Sequence, residues 1–406
     1  MDVQRLFAER IGGRTFGTTT EIYKFEKIKR AKAAVRRAKP EVELLDFGVG
    51  EPDQIAPRSV RKALKLAVED PANRGYADNG TMEFKLAAAQ YMKDFFGVTV
   101  DPEKEINHSI GSKPALAMLP LCFINPGDVT LATVPGYPVL ANHAQYLGGT
   151  VARIPLVKAN GFLPDLDAID PAVVRKAKLF YVNYPNNPTG AMATPEFFDR
   201  LIAFAEANNI LIVQDAAYAT LTYGGKPLSI MSRPGGKEAS IELHSLSKSC
   251  NMTGWRLGFV VGAPQTVLAF ATVKDNIDSG QFKAIQHAGC AGISDRNSIE
   301  KIRRHYERRL KKMAKTLRAA GFDARMPGGT FYLYVGAPKG AGSRIFANAE
   351  EASQYLILEQ SISTVPWDDA GSFLRFSATF ESKSPGDDDR VIAELGNRLA
   401  AAQLLF

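Results

Sequence analysis

The sequence predicts an α/β protein: a mostly parallel sheet covered by helices on both faces, followed by a smaller α+β domain. Three observations predict it. The chain has 406 residues, too many for one ordinary core and enough for two domains. From about Ile106 to Ile285, short apolar runs alternate with helical patterns, as in parallel strands joined by crossover helices. After about residue 290 the alternation stops, and a long amphipathic helix leads to strand-like runs and a last helix.

The elements follow in chain order. Met1 to Arg10 is polar and charged and lacks the apolar stretch of a secretory leader. Lys24 to Lys39 is basic. Val129 to Val134, Lys178 to Tyr184, Ile210 to Asp215, Ser240 to Ser245 and Leu257 to Gly262 are short runs between helical patterns, and read as buried strands. Pro195 to Asn209 reads as a helix, with Phe197, Phe198, Leu201, Ile202 and Phe204 on its apolar side. In Lys301 to Arg318, Ile302, Tyr306, Leu310, Met313 and Leu317 recur every three or four residues. The outward face of that helix is expected to carry Arg303, Arg304, Arg308, Arg309 and Lys312. Gly328 to Val335 and Phe373 to Phe380 read as strands, and Asp388 to Ala401 as the final helix. The expected division is 1–45 as an N-terminal segment joining the small domain, 46–288 as the large domain and 289–406 as the small one.

Composition excludes several classes. With 45% hydrophobic and 23% charged residues the chain is an ordinary globular one. No apolar run reaches the roughly 18 residues of a membrane span, so no membrane partner is expected. Cys122, Cys250 and Cys290 are odd in number and far apart, which makes neither a disulfide framework nor a zinc site. A reducing cytoplasm is the expected compartment and no metal is expected. The net charge of +7 lies largely in two stretches without a nucleic-acid-binding motif, so it reads as solvated faces and no nucleic acid is expected. A mild positive field would still gather anionic cofactors and dicarboxylates.

The chemistry concentrates in Ser245-Leu246-Ser247-Lys248, with Arg256 eight residues on. An amine flanked by hydroxyls, with a guanidinium close behind, suits a phosphorylated aldehyde. The amine condenses with the aldehyde, and Ser245, Ser247 and Arg256 hold the phosphate. Ser245 and Lys248 also spell the S-x-x-K of serine acyl-enzymes, but the S-D-N and K-T-G partners of that class are absent from the sequence. Asp215 ends an apolar run, where a carboxylate points into the ligand crevice of an α/β sheet. A helix N-cap is the plainer reading. Asn186-Asn187-Pro188-Thr189-Gly190 reads first as a tight turn. Gly111-Ser112-Lys113-Pro114 reads as a helix start with Pro114 at the first helical position, its bare amides suited to a phosphate. Gly48-Val49-Gly50-Glu51-Pro52-Asp53 lacks the third glycine of a dinucleotide fingerprint, and Pro52 stands where a helix should open.

Together these segments resemble the fold type I pyridoxal-phosphate aminotransferases over nearly the whole chain. The resemblance implies an aspartate aminotransferase-like fold with a seven-stranded-type sheet in the large domain, and pyridoxal 5′-phosphate as cofactor. Residue by residue, it implies Lys248 as the catalytic lysine and Asp215 as the partner of the ring nitrogen. Tyr218 and Asn187 would bond the phenolic oxygen, and Tyr137 would stack on the ring. Ser112, Lys113, Ser245, Ser247 and Arg256 would surround the phosphate. Arg375, in Leu374-Arg375-Phe376-Ser377, falls at the substrate carboxylate clamp. Tyr76, in Arg74-Gly75-Tyr76, matches a tyrosine that reaches the phosphate across a subunit boundary, which implies a homodimer with shared active sites.

Within that family the chain most resembles the LL-diaminopimelate aminotransferase group. Tyr23, in Glu21 to Ile28, matches the group's N-terminal Tyr-x-Phe-x-x-Ile segment over the substrate. Gly50 and Asn187 would be substrate contacts with it, and Lys113 could reach a distal carboxylate. Two features depart from the group: Glu51-Pro52 follows Gly50 where the group commonly has aspartate, and its asparagine from the neighbouring subunit is not matched near Asn276 to Gln281. The implied activity moves an amino group from LL-2,6-diaminopimelate to 2-oxoglutarate. An aspartate- or aromatic-type aminotransferase or a β-lyase on the same scaffold remains open. A non-catalytic sensor fused to a DNA-binding module is disfavoured, because about 45 residues before Gly48 are too few for that module.

Overall fold

The computed structural model describes residues 1–18 and 24–406, so Tyr23 lies outside the described residues. Helix α1 (Lys24–Ala38) buries Ile28, Ala31 and Val35 at helical spacing against Ile357, Val365 and Trp367 of the C-terminal part. Beyond it, Leu45–Asp46 pairs in parallel with Ile362–Ser363, and this pairing fixes the start of the Gly48–Asp53 loop.

The main sheet has seven strands: β1 (Ile106–Ser109), β2 (Val129–Val134), β3 (Thr150–Pro155), β4 (Ala177–Asn183), β5 (Leu211–Asp215), β6 (Ser240–Ser245) and β7 (Gly258–Gly262). Their order is β1-β7-β6-β5-β4-β2-β3. Only β7 runs against its neighbours, β1 and β6. Alternate side chains supply the two apolar layers. Leu179, Tyr181 and Val213 face Leu116 and Leu119 of α2 (Ser112–Phe123). Phe180, Val182 and Ile212 face Phe197 and Leu201 of α3 (Pro195–Asn208). Helix α3 starts where the sequence signals it: Thr194 caps it by accepting from the Phe197 amide at 3.1 Å, and Pro195 takes the first position. It ends at Asn209 in the left-handed conformation, φ 52°. Helix α2 opens at Ser112, so Pro114 is its third residue rather than its first.

Between β6 and β7 comes the single turn α4 (Leu246–Ser249), and the C-terminal part begins with α5 (Arg296–Ala319). Strands β8 (Tyr332–Gly336), β9 (Val365–Trp367) and β10 (Phe373–Ser377) form an antiparallel sheet in the order β9-β10-β8, and α6 (Pro385–Ala401) closes the chain's helices. Tyr306, Leu310 and Met313 of α5 pack with Leu374, Phe376, Val391 and Leu395 in a second core. Leu45, Phe47, Tyr218 and Leu221 join that same core, so the two sheets meet along the site.

A second expectation fails. Arg309 is not on the outer face of α5; it is 1% exposed. Its guanidinium donates to Asp388 Oδ1, to the Ala378 and Phe380 carbonyls and to Ser382, and it lies 3.1 Å from Asp53. A buried guanidinium is tolerated because its donors are matched in this way. Arg304 does face outward, paired within the helix to Glu300, whereas Arg303 is partly buried between Glu300 and Glu307 and over the Tyr223 ring.

Candidate active site

A cavity of about 710 Å³ opens where the carboxyl ends of the main strands meet the C-terminal part. Lys248, Asp215, Tyr218, Asn187 and Arg375 all line it, as do Ser245, Ser247 and Arg256. Gly50, Ser112, Lys113 and Tyr137 complete the set that the sequence analysis singled out. Tyr76 does not reach the cavity of its own chain and stands 81% exposed.

Each side chain is delivered by the end of an element. Strand β6 ends at Ser245, whose Oγ accepts from the Ser247 amide at 3.2 Å and so starts α4. One turn later Lys248 donates Nζ to the Gly50 carbonyl at 2.8 Å. Burial pushes its amine down to about 8, against the pull of Glu51. The lysine thus points to Gly50 rather than to Ser245, which removes the acyl-enzyme geometry.

Asp215 ends β5, and its carboxylate caps no helix. Oδ1 accepts from the Ala217 amide at 3.1 Å within a turn, and the Tyr181 hydroxyl lies 3.4 Å from Oδ2. It forms no salt bridge among the described residues, and burial lifts its pKa to about 6. A buried carboxylate with only neutral hydrogen-bond donors is matched to a cationic ligand atom.

Asn183, at the end of β4, donates to the Asp215 carbonyl at 2.7 Å and accepts from the Asn187 amide at 2.9 Å. This pair holds the Asn187 loop against β5. Asn187 Oδ1 in turn accepts from Arg375 Nη1 at 2.9 Å, and Nη2 of Arg375 donates to the Gly48 carbonyl at 3.1 Å. Each terminal nitrogen keeps a second hydrogen, enough for a bidentate carboxylate. Arg375 also lies over the Tyr332 ring, 4.1 Å from its centroid, while the Tyr332 and Tyr218 hydroxyls are 3.1 Å apart.

The anion end is built from backbone and guanidinium. Gly111 has φ +78°, and a Cβ there would come within 2.6 Å of Arg256 Nη2, so only glycine lets α2 start this close. Arg256, itself left-handed at φ 57°, is held by the Thr253 carbonyl at 2.7 Å and approaches Ser247 Oγ at 3.4 Å. The amides opening α2 and these hydroxyls make a phosphate-sized cradle. The residues present therefore fit a phosphorylated pyridine aldehyde: an amine with a lowered pKa, a buried carboxylate without a cation, and an anion cradle in one cavity.

Sequence reasoning passed over Asn183, Tyr332, Trp367 and Asp369. Asn183 carried the same signal as Asp215, a polar residue closing an apolar strand. Tyr332 and Trp367 sit in apolar strands and look like core, and Asp369 stands in an exposed turn.

The sequence and fold have clear relatives. A family model described as "Aminotransferase class I and II" matches residues 42–384. A protein named LL-diaminopimelate aminotransferase from Methanococcus maripaludis is 54% identical, covering 100% of this chain and 99% of its own. Another so named, from Methanocaldococcus jannaschii, is 52% identical with 100% and 99% covered. Among solved structures, substrate-bound BacF from Bacillus subtilis superposes with a TM-score of 0.87 at 31% identity, covering 96% of this chain and 97% of that one.

Proposed function

The chain belongs to the aminotransferase class I and II family, and on that premise we propose that it moves an amino group from LL-2,6-diaminopimelate to 2-oxoglutarate, giving glutamate and a keto acid that cyclises to tetrahydrodipicolinate. The observation that carries the transaminase chemistry is the convergence of Lys248, Asp215, Arg256 and Arg375 on one cavity. The donor rests on the full-length identity with the two archaeal proteins.

The cofactor we propose is pyridoxal 5′-phosphate, which supplies an aldehyde to carry the amino group and a protonated ring to receive the electron pair released at the substrate α-carbon. Lys248 Nζ would be the attachment point, and as a free amine it would take the α-carbon proton and return one. Asp215 would keep the ring nitrogen protonated. Tyr218 and Asn187 would hold the phenolic oxygen, and Tyr137 would lie against the ring. Ser112, Lys113, Ser245, Ser247 and Arg256 bind the phosphate. Arg375, oriented by Asn187 and Gly48, grips the α-carboxylate common to both substrates. Gly50 would complete the substrate side, with Lys113 reaching toward a distal carboxylate.

We further propose a homodimer in which Tyr76 serves the neighbouring site; its 81% exposure, and a cavity lining in its own chain that does not include it, support that reading. The division into 1–45, 46–288 and 289–406 belongs to the same proposal. So does a cytoplasmic location, supported by three unpaired cysteines. No helix among the described residues is long and apolar enough to cross a membrane.

The test is a donor panel with 2-oxoglutarate. LL-diaminopimelate should exceed aspartate, alanine and phenylalanine by roughly a hundredfold or more in kcat/KM, about 2.7 kcal/mol. A better rate with aspartate or an aromatic amino acid would overturn the donor and leave the transaminase chemistry standing.

A further inference from the structure

Only two carboxylates line the cavity among the described residues, Asp215 and Asp369. The remaining charged side chains there are cations: Lys24, Lys113, Lys248, Arg256 and Arg375. Asp215 is buried at the end of β5, whereas Asp369 is exposed, two residues beyond Trp367 on the loop between β9 and β10. Lys24, the first residue of α1, brings its amine over the Trp367 ring, 3.4 Å from the centroid, and 3.4 Å from the Pro366 carbonyl. The indole face and the carbonyl hold a cation without neutralising it. Burial lowers the Lys24 amine to about 8, with Asp369 opposing the shift and Arg375 adding to it. Lys24 therefore senses Asp369, its neighbour Asp368 and Arg375 together.

The substrates of the proposed reaction differ at the end remote from the reacting carbon. The amino donor carries a second ammonium and a second carboxylate there; 2-oxoglutarate carries a carboxylate alone. A cavity rich in cations attracts either carboxylate and repels the ammonium, unless an anion meets it. Asp215 is committed to the ring nitrogen, which leaves Asp369.

We propose that Lys24 and Asp369 form the subsite for the far end of the amino diacid: Lys24 Nζ joins Lys113 on the distal carboxylate, and Asp369 accepts from the distal ammonium. This rests on the diaminopimelate reading above. Trp367 closes β9 and fixes the height of Lys24, and Asp369 follows two residues on in the loop to β10, so one strand end sets the spacing of the two charges. Asp369 selects the donor, while Lys24 serves donor and acceptor alike.

The experiment measures both half-reactions of the holoenzyme, with kcat and KM resolved for each substrate. Asp369→Asn should raise the KM for LL-diaminopimelate about tenfold or more, and leave its kcat and the KM for 2-oxoglutarate within about twofold. Lys24→Met keeps the stem over Trp367 and should raise both KM values by about tenfold. Thermal unfolding of each variant, unchanged from wild type, confirms that the fold is intact. A donor KM unmoved by Asp369→Asn, or both KM values raised equally by it, overturns the subsite while wild-type turnover of LL-diaminopimelate keeps the function. Wild-type enzyme inert toward LL-diaminopimelate overturns both.

Discussion

Arg375 Nη1 donates to Asn187 Oδ1 across 2.9 Å, joining the middle strand of the small sheet to the loop that follows β4 of the large one. The proposed carboxylate clamp and the proposed cofactor contact are thus one hydrogen-bonded unit. Arg375→Ala should depress kcat/KM for every amino donor to a similar extent, because all carry the α-carboxylate. Asn187→Ala should raise KM roughly tenfold by letting the guanidinium turn, beyond any loss at the cofactor. A donor-dependent loss in Arg375→Ala would show that the arginine reads the side chain instead.

Arg309 supports that unit from behind. It bonds the carbonyls just after β10 and lies 3.1 Å from Asp53, at the end of the loop carrying Gly48 and Gly50. Arg309→Met should cost about 3–5 kcal/mol in urea unfolding, since Asp53 would be buried without its guanidinium and Asp388 would keep only Arg308. A loss under about 1 kcal/mol would mean that the network contributes little.

Asp215 trades stability for function. Its folded pKa, about 6, stands above the ordinary value of 3.8, so the folded apoprotein holds a proton more tightly than the unfolded chain does. The sign follows: this group's contribution worsens as pH rises from 3.8 toward 6 and stays unfavourable above that. Asp215→Asn should therefore stabilise the apoprotein at pH 8, by no more than about 3 kcal/mol, while turnover of the holoenzyme falls sharply. Equal melting temperatures with unchanged kcat would reduce Asp215 to a turn residue.

The Lys248 amine titrates near 8 rather than 10.5. Lowering a lysine pKa enlarges the neutral, nucleophilic fraction, to about one in eleven at neutral pH against about one in three thousand for an ordinary lysine. Condensation of the apoprotein with pyridoxal phosphate should rise with pH and level off just above 8. A rate still climbing tenfold per pH unit at pH 9.5 would place the reacting amine in an ordinary environment.

Much of this is legible in the sequence because the strands stand as short runs between helical patterns: Val129–Val134 and Ser240–Ser245 have the bounds expected of them, although Ser240, Glu242, His244 and Ser245 make the second mostly polar. Two strands of the main sheet escape that pattern. Ile106–Ser109 is only four residues long, and Thr150–Pro155 is an edge strand with half its residues exposed. The site was legible where a polar residue closes such a run, as at Asp215 and Ser245. It was hidden where partners come from afar. Arg309 looked like one more surface cation because Asp53 and Asp388 are remote in sequence, and Lys24 because Trp367 and Asp369 meet it only in the folded chain.

The central claim is that Lys248 holds the cofactor. Reducing the purified holoenzyme with borohydride and mapping the modified peptide by mass spectrometry tests it most directly. The label should fall on Lys248 within Ser245–Arg256 and vanish in Lys248→Ala, which should also lose roughly three or more orders of magnitude in turnover. A label on Lys24, Lys113 or any other lysine, with Lys248 unmodified, would contradict it.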